Sequence, residues 1–400
     1  MSYDVAALRA EFPALGAIAH FDSPGGTQTP QVVGEAIART LTSPLSNRGT
    51  GIASEANAEA AIAGFRHACG ELLNVDPAGI VYGRSATQLT YDFSRTLSRG
   101  WGPGDEVVVT RLDHDANVRP WVQAAQAHGA TVRWIDLDPV TTELDLASAE
   151  AVISERTRVV AVTAASNLLG TKPPVSRIAR LAHRAGALVY VDAVHYAAHA
   201  LMDVDELRAD IVVCSPYKFL GPHCAVLAAR PSLLETLAPD KLLPSTNVVP
   251  ERFELGTLPY ETLAGVTAAI DFLAGIDPGD ATTARERLAH SLHSVDAYET
   301  GLREVIEQEL LALPGVTLHS RAAERTPTLL ISFDRRSADD AYRFLASRDV
   351  LAPAGSFYAY EPFRRLGLSD ALRIGLAPYT DADEVARLLD GLRDFLAGRR

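Results

Sequence analysis

The chain has 400 residues, 47% of them hydrophobic, which is enough for a large core and predicts two domains. A formal net charge of -13, a sequence pI near 5.3 and the lack of any Lys/Arg run argue against nucleic acid and anionic membranes as partners. Three cysteines without metal or disulfide spacing, no signal-peptide pattern and no apolar run of the ~18 residues a membrane span needs lead to the expectation of a soluble cytoplasmic protein.

In chain order, apolar runs predict strands at GIVYG (79–83), DEVVVT (105–110), ATVRWID (130–136), TRVVAVTAAS (157–166), ALVYVDA (187–193), ADIVVCS (209–215) and CAVLAAR (224–230). Helical stretches separate them, for example VSRIARLAHRAG (175–186), whose last glycine suits a helix C-terminus. Strands buried on both faces with helices between them predict an α/β fold with a largely parallel sheet. Ligands in such sheets bind beyond the carboxyl ends of the strands. From LAGIDPGDATTARERLAH (273–290) the texture changes: a Pro/Gly loop leads into a long charged helix, and GVTLHS and TPTLLISFD read as strands of a second unit. The last helix, DADEVARLLDGLRDFLAG (381–398), opens on an Asp cap. The domain boundary is expected near residue 277.

The polar residues of interest fall at the predicted strand ends. Asp192 directly follows ALVYV, where on its own it reads as a turn former. Lys218, in CSPYKFLGPH, stands just past a buried-looking strand, an uncommon place for a lysine. Strands so spaced are often neighbours, which brings both groups to one crevice. An Asp and a Lys there suit pyridoxal 5'-phosphate, held covalently by the amine and kept protonated at its pyridine nitrogen by the carboxylate. Its phosphate needs N–H groups at a helix start, which YGRSATQLTYDFSRTL offers at Ser85-Ala86-Thr87, with Ser215 adding a hydroxyl. Taken alone, that stretch is an ordinary N-cap. His114, in RLDHDANVRPW, is suited to lie flat on a cofactor ring, although an isolated histidine is more often a surface residue. Asn167, in AASNLLGT, is suited to meet the cofactor phenol oxygen or a substrate carboxylate.

The order of these motifs resembles that of the class V aminotransferase family of pyridoxal-phosphate enzymes, and within it the cysteine desulfurase branch. The resemblance runs nearly end to end, from HFDSPGGTQTP (20–30) to LRIGLAPYTDADEV (372–385). DHDANVRPW resembles the family's EHHANxxPW, ASNLLGT its SNxxGT, VDAVH its VDGAQ, SPYKFLGP its SGHKxxGP and RFELGT its RFExGT. The resemblance implies the type I fold of these enzymes. A large domain (19–277) would hold a mostly parallel seven-stranded sheet, followed by a smaller α+β C-terminal domain (278–400), with an N-terminal segment (1–18) packing on the small domain. It further implies that Lys218 holds the cofactor and moves protons at the α-carbon, Asp192 pairs with the pyridine nitrogen and His114 stacks on the ring. His195, where the family usually has Gln, would sit near the phenol oxygen. Ala86, Thr87, Ser215 and Tyr217 would line the phosphate, Tyr217 replacing the usual His. Thr257 would reach in from a second subunit of a homodimer. Arg373 matches the arginine that clamps a substrate α-carboxylate, a task suited to a bidentate guanidinium. Arg48, in SNRGTG, resembles the arginine of HRGxH without its flanking histidines and is expected to face the site.

One departure bears on the chemistry. Cysteine desulfurases carry sulfur as a persulfide on a loop cysteine, and VLAPAGSFYAYEPFRR (350–365) has none. Cys69 reads as helix core, and Cys214 and Cys224 as strand residues flanking the lysine turn. The loop holds Phe357, Tyr358 and Tyr360 instead. The expected activity is therefore that of a C–S or β-elimination lyase acting on an amino acid, with an aminotransferase and then a racemase or epimerase as alternatives. A non-catalytic binding protein on the same fold is the reading from a different class. A nucleotide-binding fold is set aside, since no GxGxxG or GxxxxGK[ST] follows the first strands.

Overall fold

The computed structural model describes residues 3–399. Its strands are β1 (Ala19–His20), β2 (Ile80–Gly83), β3 (Glu106–Thr110), β4 (Thr131–Ile135), β5 (Thr157–Thr163), β6 (Leu188–Asp192), β7 (Ile211–Cys214), β8 (Ala225–Ala229), β9 (Val316–Leu318), β10 (Thr328–Phe333), β11 (Val350–Leu351) and β12 (Leu372–Gly375). The seven apolar runs read from the sequence become β2 to β8 of one seven-stranded sheet, in the order β2-β8-β7-β6-β5-β3-β4. Every residue of β3, β7 and β8 is buried, because helices cover both faces.

Only β8 runs against its neighbours. The cause lies in the connection: residues 215–224 carry the lysine turn and leave no room for the helical crossover that a parallel return needs. Elsewhere crossover helices do that work. The helix Val175–Arg184 buries Val175, Ile178, Ala179 and Ala182, spaced to form one face, against β5 and β6. Gly186 lies just past its end with φ +79, a backbone geometry that glycine adopts without strain.

β3 pairs with β4 on one side and β5 on the other. The chain order reverses between β3 and β5, so a crevice opens beyond their carboxyl ends. In register, Thr163, Asp192 and Val213 lie abreast at the ends of β5, β6 and β7.

The C-terminal part builds a three-stranded antiparallel sheet, β12-β10-β9, and a short parallel pair, β1 with β11. The strands expected in GVTLHS and TPTLLISFD are β9 and β10; β1 and β11, of two residues each, are too short to show any periodicity. Helices Ala284–Ala312 and Ala382–Ala397 each start with a capping box, Thr283 with Glu286 and Asp381 with Glu384. The N-terminal segment ties into this part. Tyr3 Oη donates to the Pro378 carbonyl at 2.7 Å, and Arg9 pairs with Glu384 at 2.9 Å and Asp381 at 3.0 Å. Among the described residues, no helix is long and apolar enough to cross a membrane.

Candidate active site

The lysine turn is a short 3-10 helix, Pro216–Lys218, closed by Lys218 N–H to the Ser215 carbonyl at 3.1 Å and Gly221 N–H to the Pro216 carbonyl at 2.8 Å. Glycine is required at 221, where a Cβ would lie 2.9 Å from the Pro216 Cβ. The turn buries Lys218 to 6% exposure. Burial first, then the nearby Arg373 cation, pulls the amine down to about 8, with Asp192 opposing. Asp192 is likewise buried at the end of β6 and accepts a hydrogen bond from Val194 N–H at 2.9 Å. Burial raises its pKa against the lowering effects of that bond and of Lys218.

His114 follows β3 on a loop held by a buried chain of hydrogen bonds. The Asp113 carboxyl pairs with the Thr110 hydroxyl and accepts from Asn117 Nδ2 at 2.7 Å, while Asn117 Oδ1 accepts from Trp121 Nε1 at 3.2 Å. Full burial pushes Asp113 up to about 8. His114 Nδ1 accepts from Ala116 N–H at 3.1 Å, which leaves its proton on Nε2. Burial and the Lys218 and Arg373 charges lower its pKa to about 4, so the ring is neutral and suited to packing.

Lys218, Asp192, His114, Asn167, Ala86, Thr87, Ser215, Tyr217 and His195 all line one small cavity of ≈ 80 Å³. At one end Ser85 caps the helix Ala86–Ser98, leaving the Ala86 and Thr87 N–H groups without intrahelical acceptors. Ser215 and Tyr217 stand beside them, the Tyr217 ring stacked on His223 at 4.9 Å. His195 Nε2 lies 2.9 Å and 3.0 Å from the Thr326 and Thr328 hydroxyls, and its Nδ1 is buried with no partner.

A wider cleft of ≈ 630 Å³ shares Lys218, His114, Asn167 and Thr87 and adds Arg373, Phe357 and Tyr358. Arg373, on β12, is 3% exposed. It donates through Nη1 to the Asn167 carbonyl at 3.1 Å, while its Nε is buried without a partner. Burial lowers its pKa to about 9, which still leaves a cation at neutral pH. Asn167 Nδ2 donates to the Phe357 carbonyl at 3.0 Å, and Asn167 Oδ1 is buried and unpaired.

Two expected site residues stand apart from both cavities in this chain. Arg48 is bound to Glu59 at 2.9 Å and to Glu251 at 3.1 Å, and Thr257 is exposed on its loop. Sequence reasoning missed Thr326 and Thr328, which meet His195 across more than 130 residues of chain. It also missed Asp113, Asn117 and Trp121 as a unit, although their i, i+4, i+8 spacing on a helix-opening loop was a usable signal.

The family description aminotransferase class-V matches residues 19–388. The chain belongs to the class V aminotransferase family. An uncharacterized protein of Mycobacterium tuberculosis, MT3887, is 34% identical over 98% of this chain and 99% of its own. A probable cysteine desulfurase of Pseudomonas aeruginosa is 30% identical over 95% of each chain. Among solved structures, the cysteine desulfurase CsdA of Escherichia coli, in its S-sulfonic acid form, covers 100% of both chains with TM-score 0.88 and 26% identity. A cysteine desulfurase from Thermococcus onnurineus covers 98% of each with TM-score 0.90 at 22% identity, a likeness of fold.

This class V family member is a cysteine desulfurase-like, pyridoxal 5'-phosphate-dependent enzyme. Its residues fit that cofactor. The cavity offers a desolvated amine, a buried carboxyl, free N–H groups at a helix start and two orphaned buried polar atoms, His195 Nδ1 and Asn167 Oδ1.

Proposed function

We propose that the protein is a lyase that removes a β-substituent from an amino acid, cleaving C–S bonds without a persulfide. The observation that carries this reading is the state of its cysteines. Cys69, Cys214 and Cys224 are all free and buried, at 0%, 0% and 1% exposure. Burial raises all three thiols, Cys224 to about 12, whereas a sulfur-accepting nucleophile must be exposed and thiolate-prone.

In this reading the cofactor, when bound, supplies an electron sink for the pair left at the substrate α-carbon. Lys218 holds the cofactor and takes the α-proton, and its lowered pKa keeps a useful fraction of the amine neutral near pH 7–8. Asp192 would pair with the pyridine nitrogen, and neutral His114 would pack on the ring. Ala86 and Thr87 N–H, Ser215 and Tyr217 would hold the phosphate, and His195 Nδ1 would meet the phenol oxygen. The unused Nε–Nη2 edge of Arg373 receives the α-carboxylate beside Asn167. Elimination breaks Cα–H and Cβ–S and forms Cα=Cβ. The thiol leaves with a proton, and the released enamine takes up water to give a 2-oxoacid and ammonia, with no oxidant required.

The same reading includes a cytoplasmic homodimer in which Thr257 serves the partner's site. It is supported by the surface around Thr257, where the Arg48–Glu251 ion pair joins two loops that expose Ile52, Val248 and Leu255. It also divides the chain into the segment 1–18 and domains 19–277 and 278–400. Support for that division comes from the seven-stranded sheet lying within residues 80–229 and the three-stranded sheet within 316–375.

The test is a titration of the purified holoenzyme with amino acids, L-cysteine included, following the cofactor band and assaying sulfide, pyruvate, alanine and 2-oxoacids. Sulfide or thiol with pyruvate, and a band that recovers unaided, supports the lyase. Alanine instead of pyruvate marks a desulfurase, and a band that returns only with a 2-oxoacid marks an aminotransferase.

A further inference from the structure

Phe357 and Tyr358 are consecutive aromatic residues in the left-handed region, with φ +54 and +56. Side chains other than glycine reach that region at a cost, and two in succession persist only where the surroundings hold them. Here they are held from several sides. Asn167 Nδ2 donates to the Phe357 carbonyl at 3.0 Å, and Asp115 N–H donates to the Tyr358 carbonyl at 2.8 Å. The Phe357 ring centroid lies 3.8 Å from the Arg373 guanidinium carbon. The turn is therefore built onto the site, in the segment where desulfurases of this family present their cysteine.

Its placement has two consequences. Phe357 covers a face of the Arg373 guanidinium and leaves the Nε edge free, so the aromatic ring and a substrate carboxylate use different sides of one cation. Tyr358 is 77% exposed, and its ring lies 5.6 Å from that of His114, at the wall of the cleft beyond the lysine. Tyr91 and Pro120 line the same space.

The cleft also lacks a free charge for a side chain to meet. Among the described residues, the charged groups lining it besides Lys218 and Arg373 are Asp115 and Arg119, since His114 is neutral. These two pair with each other at 2.7 Å, and Arg119 also pairs with Glu361 at 2.5 Å. The cleft is shared with the residues that face the cofactor, Lys218, His114 and Asn167, and it opens past them along Tyr91, Pro120 and Tyr358.

We infer that the Phe357–Tyr358 turn is a specificity wall, and that the substrate is an amino acid carrying a bulky, uncharged, apolar or aromatic β-substituent, such as an S-substituted cysteine, rather than free cysteine. The inference rests on the lyase reading for the bond that breaks, but not for the shape of the pocket.

Two measurements on the holoenzyme separate these parts. The first compares pyruvate release from S-benzyl-L-cysteine, S-methyl-L-cysteine, S-carboxymethyl-L-cysteine and L-cysteine. The second measures calorimetric binding of 3-(benzylthio)propanoate against propanoate, neither of which has an amine to react. We expect kcat/KM for the benzyl compound to exceed each of the others by about tenfold or more, and the benzyl acid to bind at least about tenfold tighter than propanoate. Tyr358→Ala, a change at an exposed side chain, is expected to weaken the benzyl acid several-fold and leave propanoate within about twofold. Phe357→Ala is expected to narrow the same preference.

A preference for L-cysteine or the carboxymethyl compound overturns the inference, as does a benzyl preference that Tyr358→Ala leaves intact. If the benzyl acid binds as expected but no thioether yields pyruvate, the lyase reading fails and the wall stands. If all four compounds yield pyruvate equally, the lyase stands and the wall falls.

Discussion

The cleft has a floor and a roof, made in different ways. The floor is the row of strand ends that carries His114, Asn167, Asp192 and the Lys218 turn, and sheet register sets its spacing. The roof is Arg373, Phe357, Tyr358, Thr326 and Thr328, brought over from the C-terminal sheet and its loops. In the proposed reading the floor holds the groups that would bind the cofactor, and the roof holds those that would meet the substrate. Chemistry would then sit on regular structure, and selectivity on a tertiary contact outside the sheet.

That contrast can be broken at its strongest point first. Lys218→Ala removes the floor's amine and is expected to lower turnover by at least about 10³-fold, with loss of the lysine-bound cofactor band. Activity within tenfold of wild type would mean that the amine is not the reacting group. On the roof, Arg373→Lys keeps the charge but loses the fork. It is expected to cut kcat/KM by about 10–100-fold, mainly through KM. A drop confined to kcat would move Arg373 from carboxylate binding to chemistry.

The pH dependence of the floor sharpens the comparison. Lys218 is reactive when neutral, and its pKa lies at about 8 rather than 10.5. The rate at which apoenzyme takes up the cofactor should rise with pH and level off above about 8; a continued rise to pH 10 would show that burial and Arg373 do not perturb the amine. Next in size is the support under His114. Asn117→Ala leaves the buried Asp113 carboxyl short of a donor and Trp121 Nε1 short of an acceptor. A loss of about 1–3 kcal/mol in unfolding free energy is expected, together with weaker cofactor retention. An unchanged denaturant midpoint would mean that water fills the gap.

The smallest effect is expected farthest from the cleft. Asp381→Ala removes the N-cap of the last helix and a partner of Arg9, and should cost about 1 kcal/mol with kinetics unchanged. Altered KM there would show that the roof responds to helix packing.

Much of the floor was legible because its signals are local. A buried run followed by Asp, Asn or Lys identifies a strand end, and the parallel register of β5, β6 and β7 then aligns those ends at one edge. The antiparallel course of β8 was not read from the sequence, although the short connection after β7 requires it. The roof was not legible in the same way. Arg373 was found through its motif, but nothing within ten residues of Phe357 indicates that its carbonyl meets Asn167, 190 positions earlier. Thr326 and Thr328 look like ordinary strand-edge residues until His195 is placed against them.

Local sequence sets the seven strands of the large sheet, the amine and carboxyl at adjacent strand ends, and the absence of a cysteine from residues 350–365. These follow from hydrophobic period, turn chemistry and residue identity, all of which act over a few positions. Of the strands expected to be buried on both faces, β4 instead lies at the sheet edge with only Ile135 buried. Packing between distant segments sets the rest: the three cysteines have almost no exposed surface, Arg119 is paired with both Asp115 and Glu361, and two aromatic residues hold a left-handed turn against Arg373. Those outcomes depend on how distant segments pack and which polar groups they satisfy, and burial and electrostatics take their values only once the chain has closed on itself.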